Sequence, residues 1–340
     1  MRGKYCGFDA VRGTGLRRQL MTVYHHPGVK FRRKKLHFLN WLPLCNFTKD
    51  RHRLPEAHAV IFHNFQLGKK DPPPSRRLPH QRFVWMMLES PGYYPRPNTV
   101  FQGAFFNWTM TYRLDSDIHL PYSQWAFRLP QNESLSEAEF GAKDNLLFWA
   151  VSNCNVPSLR LNFVQEILKH ANVTVVGACA KRLKDSNRIH CHNCSLAWKQ
   201  RSFFYLALEN NICRDYVTEK FWSSLSAGSV PIVFRRKSTP PLPRSAFLAL
   251  DDFASAGKLV SELRRLATNF TAYSAFFAWR RQAHSLPFAQ RGKTGFCDLC
   301  GKLQEDRLPA KVITDLTALW SPPGVCDSQS QILAVWNISR

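Results

Sequence analysis

The chain has 340 residues, more than one hydrophobic core usually serves, so two domains of ordinary size are expected. Hydrophobic residues make up 44%, which excludes a disordered chain, while no run reaches the ~18–20 apolar residues of a membrane span. The formal net charge of +23 calls for a polyanionic partner: nucleic acid, an anionic membrane surface, or a phosphorylated or acidic substrate.

Residues 1–55 are basic and weakly periodic and read as a stem-like segment; the charge run Lys30 to Lys35 reads as solvated surface. The N-terminus lacks the apolar stretch of a signal peptide, so no secretory signal or membrane anchor is visible in the sequence. A first α/β unit is expected over 56–140. It holds a buried strand at 58–65, a proline-rich exposed loop at 69–79, a second strand at 82–90 ending at Glu89, and a strand at 105–122 running into an acidic turn. The polar stretch 132–145 reads as the domain linker. A second unit follows over 141–305, where strands alternate with helices of apolar spacing, and 306–340 forms a C-terminal tail. Such alternation implies parallel sheet and a Rossmann-like domain.

The chemistry concentrates in LALENNICRDYVTEKFWSSLSAGSVPIVF, which begins at Leu206. In an open parallel sheet, ligands bind beyond the carboxyl ends of the strands. Leu206 to Leu208 is such a strand end, which places Glu209 and Asn210 at the site. Asp215 is the expected N-cap of the next helix, with Tyr216, Glu219 and Lys220 in its first turn, and Gly228 its C-terminal stop. A helix N-terminus favours an anion by about 0.3–1 kcal/mol, and Lys220 can add a charge-assisted hydrogen bond of about 1.5–3 kcal/mol. Glu219 would repel a phosphate and suits the vicinal hydroxyls of a ribose. Together these residues describe a nucleotide-diphosphate site; an ordinary surface helix with neighbouring Glu and Lys is the competing reading.

The ten cysteines are even in number, and Asn-x-Ser/Thr acceptors stand at Asn46, Asn107, Asn132, Asn172, Asn193, Asn269 and Asn337. Both features lean toward the secretory pathway and disulfides. Cys191-x-x-Cys194 and Cys297-x-x-Cys300 offer four thiolates at zinc-site spacing, but the glycosylation acceptors argue for an oxidising compartment, and no metal is expected.

The 206–234 segment resembles the donor-binding motif of the α1,3-fucosyltransferase family, glycosyltransferase family 10. VWMMLESPGYYP is similar to its Glu-Ser-Pro segment, FNWTMTYRLDSDIHLPY to its Asp-Ser-Asp segment, and VSNCNVPSLR to its Ser-Asn-x-Asn…Arg segment. SAFLALDDF, FFAWR and GFCDLC resemble later landmarks, so ordered matches run from about Phe83 to Cys300. The resemblance implies an α/β, GT-B-like architecture of two Rossmann-like domains facing a cleft. It implies an inverting transfer of L-fucose from GDP-β-L-fucose to a GlcNAc-containing glycan, with no cofactor beyond the donor. Arg160 and Lys220 are then expected on the diphosphate, Glu219 on the ribose, Asn210 and Tyr216 in the nucleotide-sugar pocket, and Glu89 as the base. Paired cysteines in CDLC, a lumenal Golgi location and an anchor to the Golgi membrane are implied likewise, as is a structural or acceptor-side role for Asp115 to Asp117.

The sequence departs from the family where Phe234 runs into RRKSTPPLP in place of a glycine turn, and where Leu208 replaces a usual Phe. Two other classes remain alternatives: an inactive relative that binds glycans or acts as a scaffold, and a basic nucleic-acid-binding protein. Turnover of GDP-fucose separates the first from the enzyme. Steeply salt-dependent binding to generic strands would mark the second, and nothing beyond charge favours it, so no nucleic-acid partner is expected.

Overall fold

The computed structural model describes residues 19–24, 45–48, 50–64, 77–94, 103–123, 134–191, 193–238, 243–285, 295–306 and 310–338. The expected basic run at 30–35, most of the loop at 69–79 and the acceptor Asn132 lie outside them.

The chain divides into two compact units, and neither is continuous in sequence. Unit 1 comprises residues 1–124 and 290–322; unit 2 comprises 125–289 and 323–340. This division departs from the expected one. Residues 290–305 belong with the first unit, and the C-terminal tail is split between the two. The reason is covalent and apolar: Cys300 is bonded to Cys45 across 255 residues of sequence, and Trp320 packs edge-on against Trp85 at 4.9 Å.

Unit 1 is built on a sheet in the order β2-β1-β3-β4-β5-β6, all neighbours parallel. Its strands are β1 (Gln19–Tyr24), β2 (Cys45–Thr48), β3 (Ala59–His63), β4 (Arg82–Met87), β5 (Trp108–Thr111) and β6 (Ile118–His119). Continuous burial of Arg82–Met87 fits a central parallel strand covered on both faces. β1 and β2 fall in the segment read as a stem; their four to six residues are too few to show a period against the basic background.

Unit 2 has the sheet order β12-β11-β10-β7-β8-β9, again all parallel. The strands are β7 (Asn145–Ala150), β8 (Thr174–Val176), β9 (Asn187–Ile189), β10 (Ser202–Leu206), β11 (Val230–Val233) and β12 (Leu248–Ala249). Counted from β7, this is the 3-2-1-4-5-6 order of a dinucleotide-binding sheet, whose direction of winding reverses between β7 and β10. The helices α1 (Glu137–Gly141), α2 (Arg160–Leu168), α3 (Ser195–Arg201), α4 (Glu219–Ala227) and α5 (Ala256–Ala267) accompany it. The supposed linker contains α1, closed by a reciprocal capping box between Ser136 and Glu139. Its Phe140 packs against Phe203, Phe270 and Tyr273, so one aromatic residue docks a stretch that otherwise reads as polar. The core gathers Trp149, Phe163, Phe204, Leu206, Ile232 and Leu259.

Candidate active site

The reversal between β7 and β10 places two loops side by side beyond the strand ends. The first, from β7, carries residues 151–159 into α2. Leu159 takes a left-handed backbone (φ 53°), and α2 begins at Arg160. Gly177 lies against this loop, where an added Cβ would meet the Val151 carbonyl. The Cys154–Cys179 disulfide bonds the loop to the segment after β8. The second loop, from β10, carries 207–218 into α4 and is bonded to the C-terminal segment by Cys213–Cys326.

Arg160 and Lys220 converge on the end of β10. The Arg160 guanidinium is buried and donates from Nη1 to the Leu208 carbonyl (2.8 Å) and from Nη2 to the Asn153 carbonyl (2.7 Å), so it bridges the two loops. Burial lowers its pKa and the nearby Glu209 carboxylate opposes that. Lys220 Nζ lies 3.0 Å from Glu209 Oε2, 3.1 Å from Glu219 Oε1 and 2.9 Å from Thr218 Oγ1. Burial works against its charge, but the two carboxylates outweigh that and raise its pKa.

Glu209, which the sequence places at the site without assigning it a role, is the acid that organises it. It is buried, and its Oε1 accepts from the Thr218 amide and hydroxyl, each at 2.8 Å. Burial raises its pKa, with Lys220 and Thr218 opposing. The signal was present in the sequence: Glu209 is the first charged residue after the buried run 203–208 that contains the end of β10. Thr218, not Asp215, caps α4 by accepting from the Lys220 amide. Asp215 sits instead in a tight turn with φ 63°, a conformation that short polar side chains tolerate. The helix ends as expected at Gly228, left-handed at φ 74°.

Tyr216 is buried and lines a small, solvent-open pocket together with Glu209, Asn211, Phe221, Phe234 and Arg235. Asn210 lies on the same loop, its carbonyl accepting from the Ser158 amide at 3.1 Å. Glu219 opens α4 with its side chain 57% exposed. Burial pushes its pKa up, yet Lys220 holds it below the usual carboxylate range. The residues that replace the family's glycine turn are engaged: Phe234 packs on Phe163, Arg235 pairs with Asp327, and Arg236 with Asp252.

Glu89 belongs to unit 1, two residues beyond β4 and half-buried. Tyr122 donates to the Leu88 carbonyl at 2.6 Å, and the Ser90 carbonyl accepts from the amides of Tyr93 and Tyr94. The strand end that presents Glu89 is therefore held from both sides. Of the acidic turn, Asp115 pairs with Arg113, and Asp117 accepts from Thr109 and Lys311.

The cysteines correct one expectation. Cys297 and Cys300 are not bonded to each other: Cys300 pairs with Cys45, and Cys297 is also in a disulfide. Cys191 and Cys194 are bonded together, so the thiols considered as zinc ligands are all consumed.

Residues 140–320 match the model of glycosyltransferase family 10 (fucosyltransferase) C-terminal region, and residues 19–123 match the fucosyltransferase N-terminal model. The chain is 35% identical over 272 residues to a chimpanzee (Pan troglodytes) 3-galactosyl-N-acetylglucosaminide 4-alpha-L-fucosyltransferase FUT3, covering 77% of this chain and 69% of that protein. It is 34% identical over 272 residues to the Homo sapiens 4-galactosyl-N-acetylglucosaminide 3-alpha-L-fucosyltransferase FUT6, with 77% and 72% covered. A crystal structure of an alpha1,3-fucosyltransferase superposes with a TM-score of 0.55 at 16% identity, covering 85% of this chain and 91% of that one. A second, with GDP, gives 0.54 at 15%, covering 86% and 92%. With the parallel GT-B architecture, the loops at the sheet reversal and both family regions in place, the chain belongs to glycosyltransferase family 10, the fucosyltransferases.

Proposed function

We propose that the protein transfers L-fucose from GDP-β-L-fucose to a GlcNAc-containing glycan in α1,3 linkage with inversion. The observation that carries this is the meeting of Arg160 and Lys220 at Leu208 and Glu209, beside the Tyr216 pocket and at the sheet reversal. In this reading the diphosphate lies toward Arg160 and Lys220, the ribose hydroxyls donate to Glu219, and Asn210 and Tyr216 line the nucleotide-sugar pocket. Glu89 takes the proton from the acceptor hydroxyl as its oxygen bonds to the fucose anomeric carbon. The anomeric C–O bond to the diphosphate breaks with its electron pair on GDP. Negative charge grows on that leaving group, so fixed cations there lower the barrier more than they tighten the ground state. The transition state resembles that of glycoside hydrolysis, an oxocarbenium ion.

A glycoprotein acceptor and a lumenal Golgi setting form part of the same proposal. The four disulfides between described cysteines support an oxidising compartment. No helix among the described residues is long and apolar enough to cross a membrane, and attachment to the Golgi membrane is proposed from the family alone.

The test is an acceptor screen with labelled GDP-fucose, comparing the unaltered chain with Glu89→Gln and Lys220→Ala. Glu89→Gln is expected to lose turnover by about 10²–10⁴-fold and keep GDP binding; Lys220→Ala is expected to weaken GDP binding. Full activity in Glu89→Gln removes the base assignment. Absence of transfer to any acceptor by the unaltered chain, with GDP still bound, favours a catalytically silent glycan-binding protein.

A further inference from the structure

A lysine ammonium can donate three hydrogen bonds, and at Lys220 three acceptors within the protein already take them. They are Glu209 Oε2 at 3.0 Å, Thr218 Oγ1 at 2.9 Å and Glu219 Oε1 at 3.1 Å. The two carboxylates and the ammonium sum to −1, and the Arg160 guanidinium beside Glu209 brings the site only to neutrality, so Glu219 competes with a phosphate for Lys220. An incoming diphosphate therefore gains Lys220 only if one of these acceptors gives way.

The three acceptors differ in how firmly they are held. Glu209 is buried, and the Thr218 amide and hydroxyl fix its other contacts. Thr218 is itself buried as the cap of α4. Glu219 has a side chain 57% exposed, so water can solvate its carboxylate when it leaves Lys220. Its backbone stays in place meanwhile. Ser223 donates to the Glu219 carbonyl, and the buried Lys199 in turn bonds to Ser223.

We propose that Glu219 is a placeholder for the donor diphosphate on Lys220. A phosphate oxygen replaces the Glu219 carboxylate, Glu209 and Thr218 keep the ammonium aimed, and the released carboxylate becomes the acceptor for the ribose hydroxyls. The exchange rests on the donor-site reading above and deepens it. It makes the ribose part of the driving force: a diphosphate without a ribose must displace Glu219 and give it nothing in return.

Two ligands separate these contributions: inorganic pyrophosphate and GDP, each titrated calorimetrically in magnesium-free buffer. Glu219→Gln is expected to bind pyrophosphate about 3-fold or more tightly than the unaltered chain, since a competing charge is gone. The same variant is expected to bind GDP about 10-fold more weakly, having lost a charged acceptor for the ribose. Glu219→Asp retains the charge with a shorter reach, and is expected to leave pyrophosphate near its original affinity. Lys220→Ala is expected to weaken both ligands. Ligand-free melting curves establish that each variant is folded. Pyrophosphate binding that is unchanged, weaker or undetectable in Glu219→Gln overturns the exchange. Intact affinity for both ligands in Lys220→Ala is a different failure, that of the donor-site reading itself.

Discussion

The carboxylate of Glu209 joins Lys220 Nζ at 3.0 Å through one oxygen and the Thr218 amide at 2.8 Å through the other. One buried acid thus ties the end of β10 to the first turn of α4. Removing one member of a buried pair leaves the other charge uncompensated, at a cost of about 3–5 kcal/mol. Lys220→Ala is therefore expected to destabilise unit 2 by an amount toward the lower end of that range, since Lys220 is 20% exposed. Burial raises the Glu209 pKa, and without Lys220 it rises further. The strain is that of an ionised buried acid, so it is present above the unfolded carboxyl pKa and relieved on protonation. Urea unfolding at pH 7.5 and 5.5 is expected to show the Lys220→Ala deficit shrinking at the lower pH. A deficit independent of pH would count against Glu209 as its source.

Two buried lysines set a second pH dependence. Lys143 donates to the Gln200 and Ser202 carbonyls, and Lys199 lies 4.3 Å over the Tyr205 ring. Burial lowers each pKa from 10.5 to about 8. Between these values the unfolded chain holds protons that the folded chain has released, so stability rises with pH from about 8 to 10.5. Chemical denaturation across that interval is expected to show the rise, and Lys199→Met to flatten it. A fall in stability over the same interval, with both lysines present, would contradict the assignment.

The disulfides Cys154–Cys179 and Cys213–Cys326 each fasten one of the two loops that bring Arg160 and Lys220 together. Loss of a native disulfide typically costs about 2–5 kcal/mol. Replacing Cys213 and Cys326 with serine is expected to lower the melting temperature and raise the KM for the donor while sparing the KM for the acceptor. An equal rise in both constants would point to general unfolding rather than a loosened donor loop.

Glycan occupancy is set by the fold as much as by the tripeptide. Asn107 is fully buried; its side chain accepts from the Phe83 amide and donates to the Lys311 carbonyl. Asn269 accepts from the Ala272 amide as a helix cap. Asn46, Asn172, Asn193 and Asn337 are exposed. Peptide mapping of secreted material is expected to find glycans on members of the exposed set and none on Asn107. A glycan on Asn107 in the folded protein would contradict its burial and its side-chain bonds to Phe83 and Lys311.

The sequence made the second sheet readable because its strands and helices alternate at clear periods, as in 145–150 against 160–168. It also placed Asn210, Tyr216, Glu219 and Lys220 on one strand-to-helix connection, which the structure retains. It did not show that Thr218 caps α4, because Asp215 is an equally good cap by residue type. Only the carboxylate of Glu209, nine residues earlier, fixes the choice by binding Thr218. β1 and β2 were illegible for a related reason: short strands acquire meaning from the neighbours that cover them. The partner of Cys300 lay 255 residues away, a distance over which spacing carries no information.

The split of each unit along the chain has a consequence for how the molecule is made. Unit 1 begins at the first residue but needs residues 290–322 for closure, including Trp320 against Trp85 and Cys300 against Cys45. During synthesis its early strands must wait, uncovered, while nearly the whole polypeptide leaves the ribosome. Unit 2 has its six strands between residues 145 and 249 and lacks only the segment that brings Cys326 to Cys213 and Trp336 to the Leu250 and Phe253 carbonyls. Neither unit can therefore close until a segment from the last fifty or so residues has been made, and unit 2, which needs residues 323–340, is completed last.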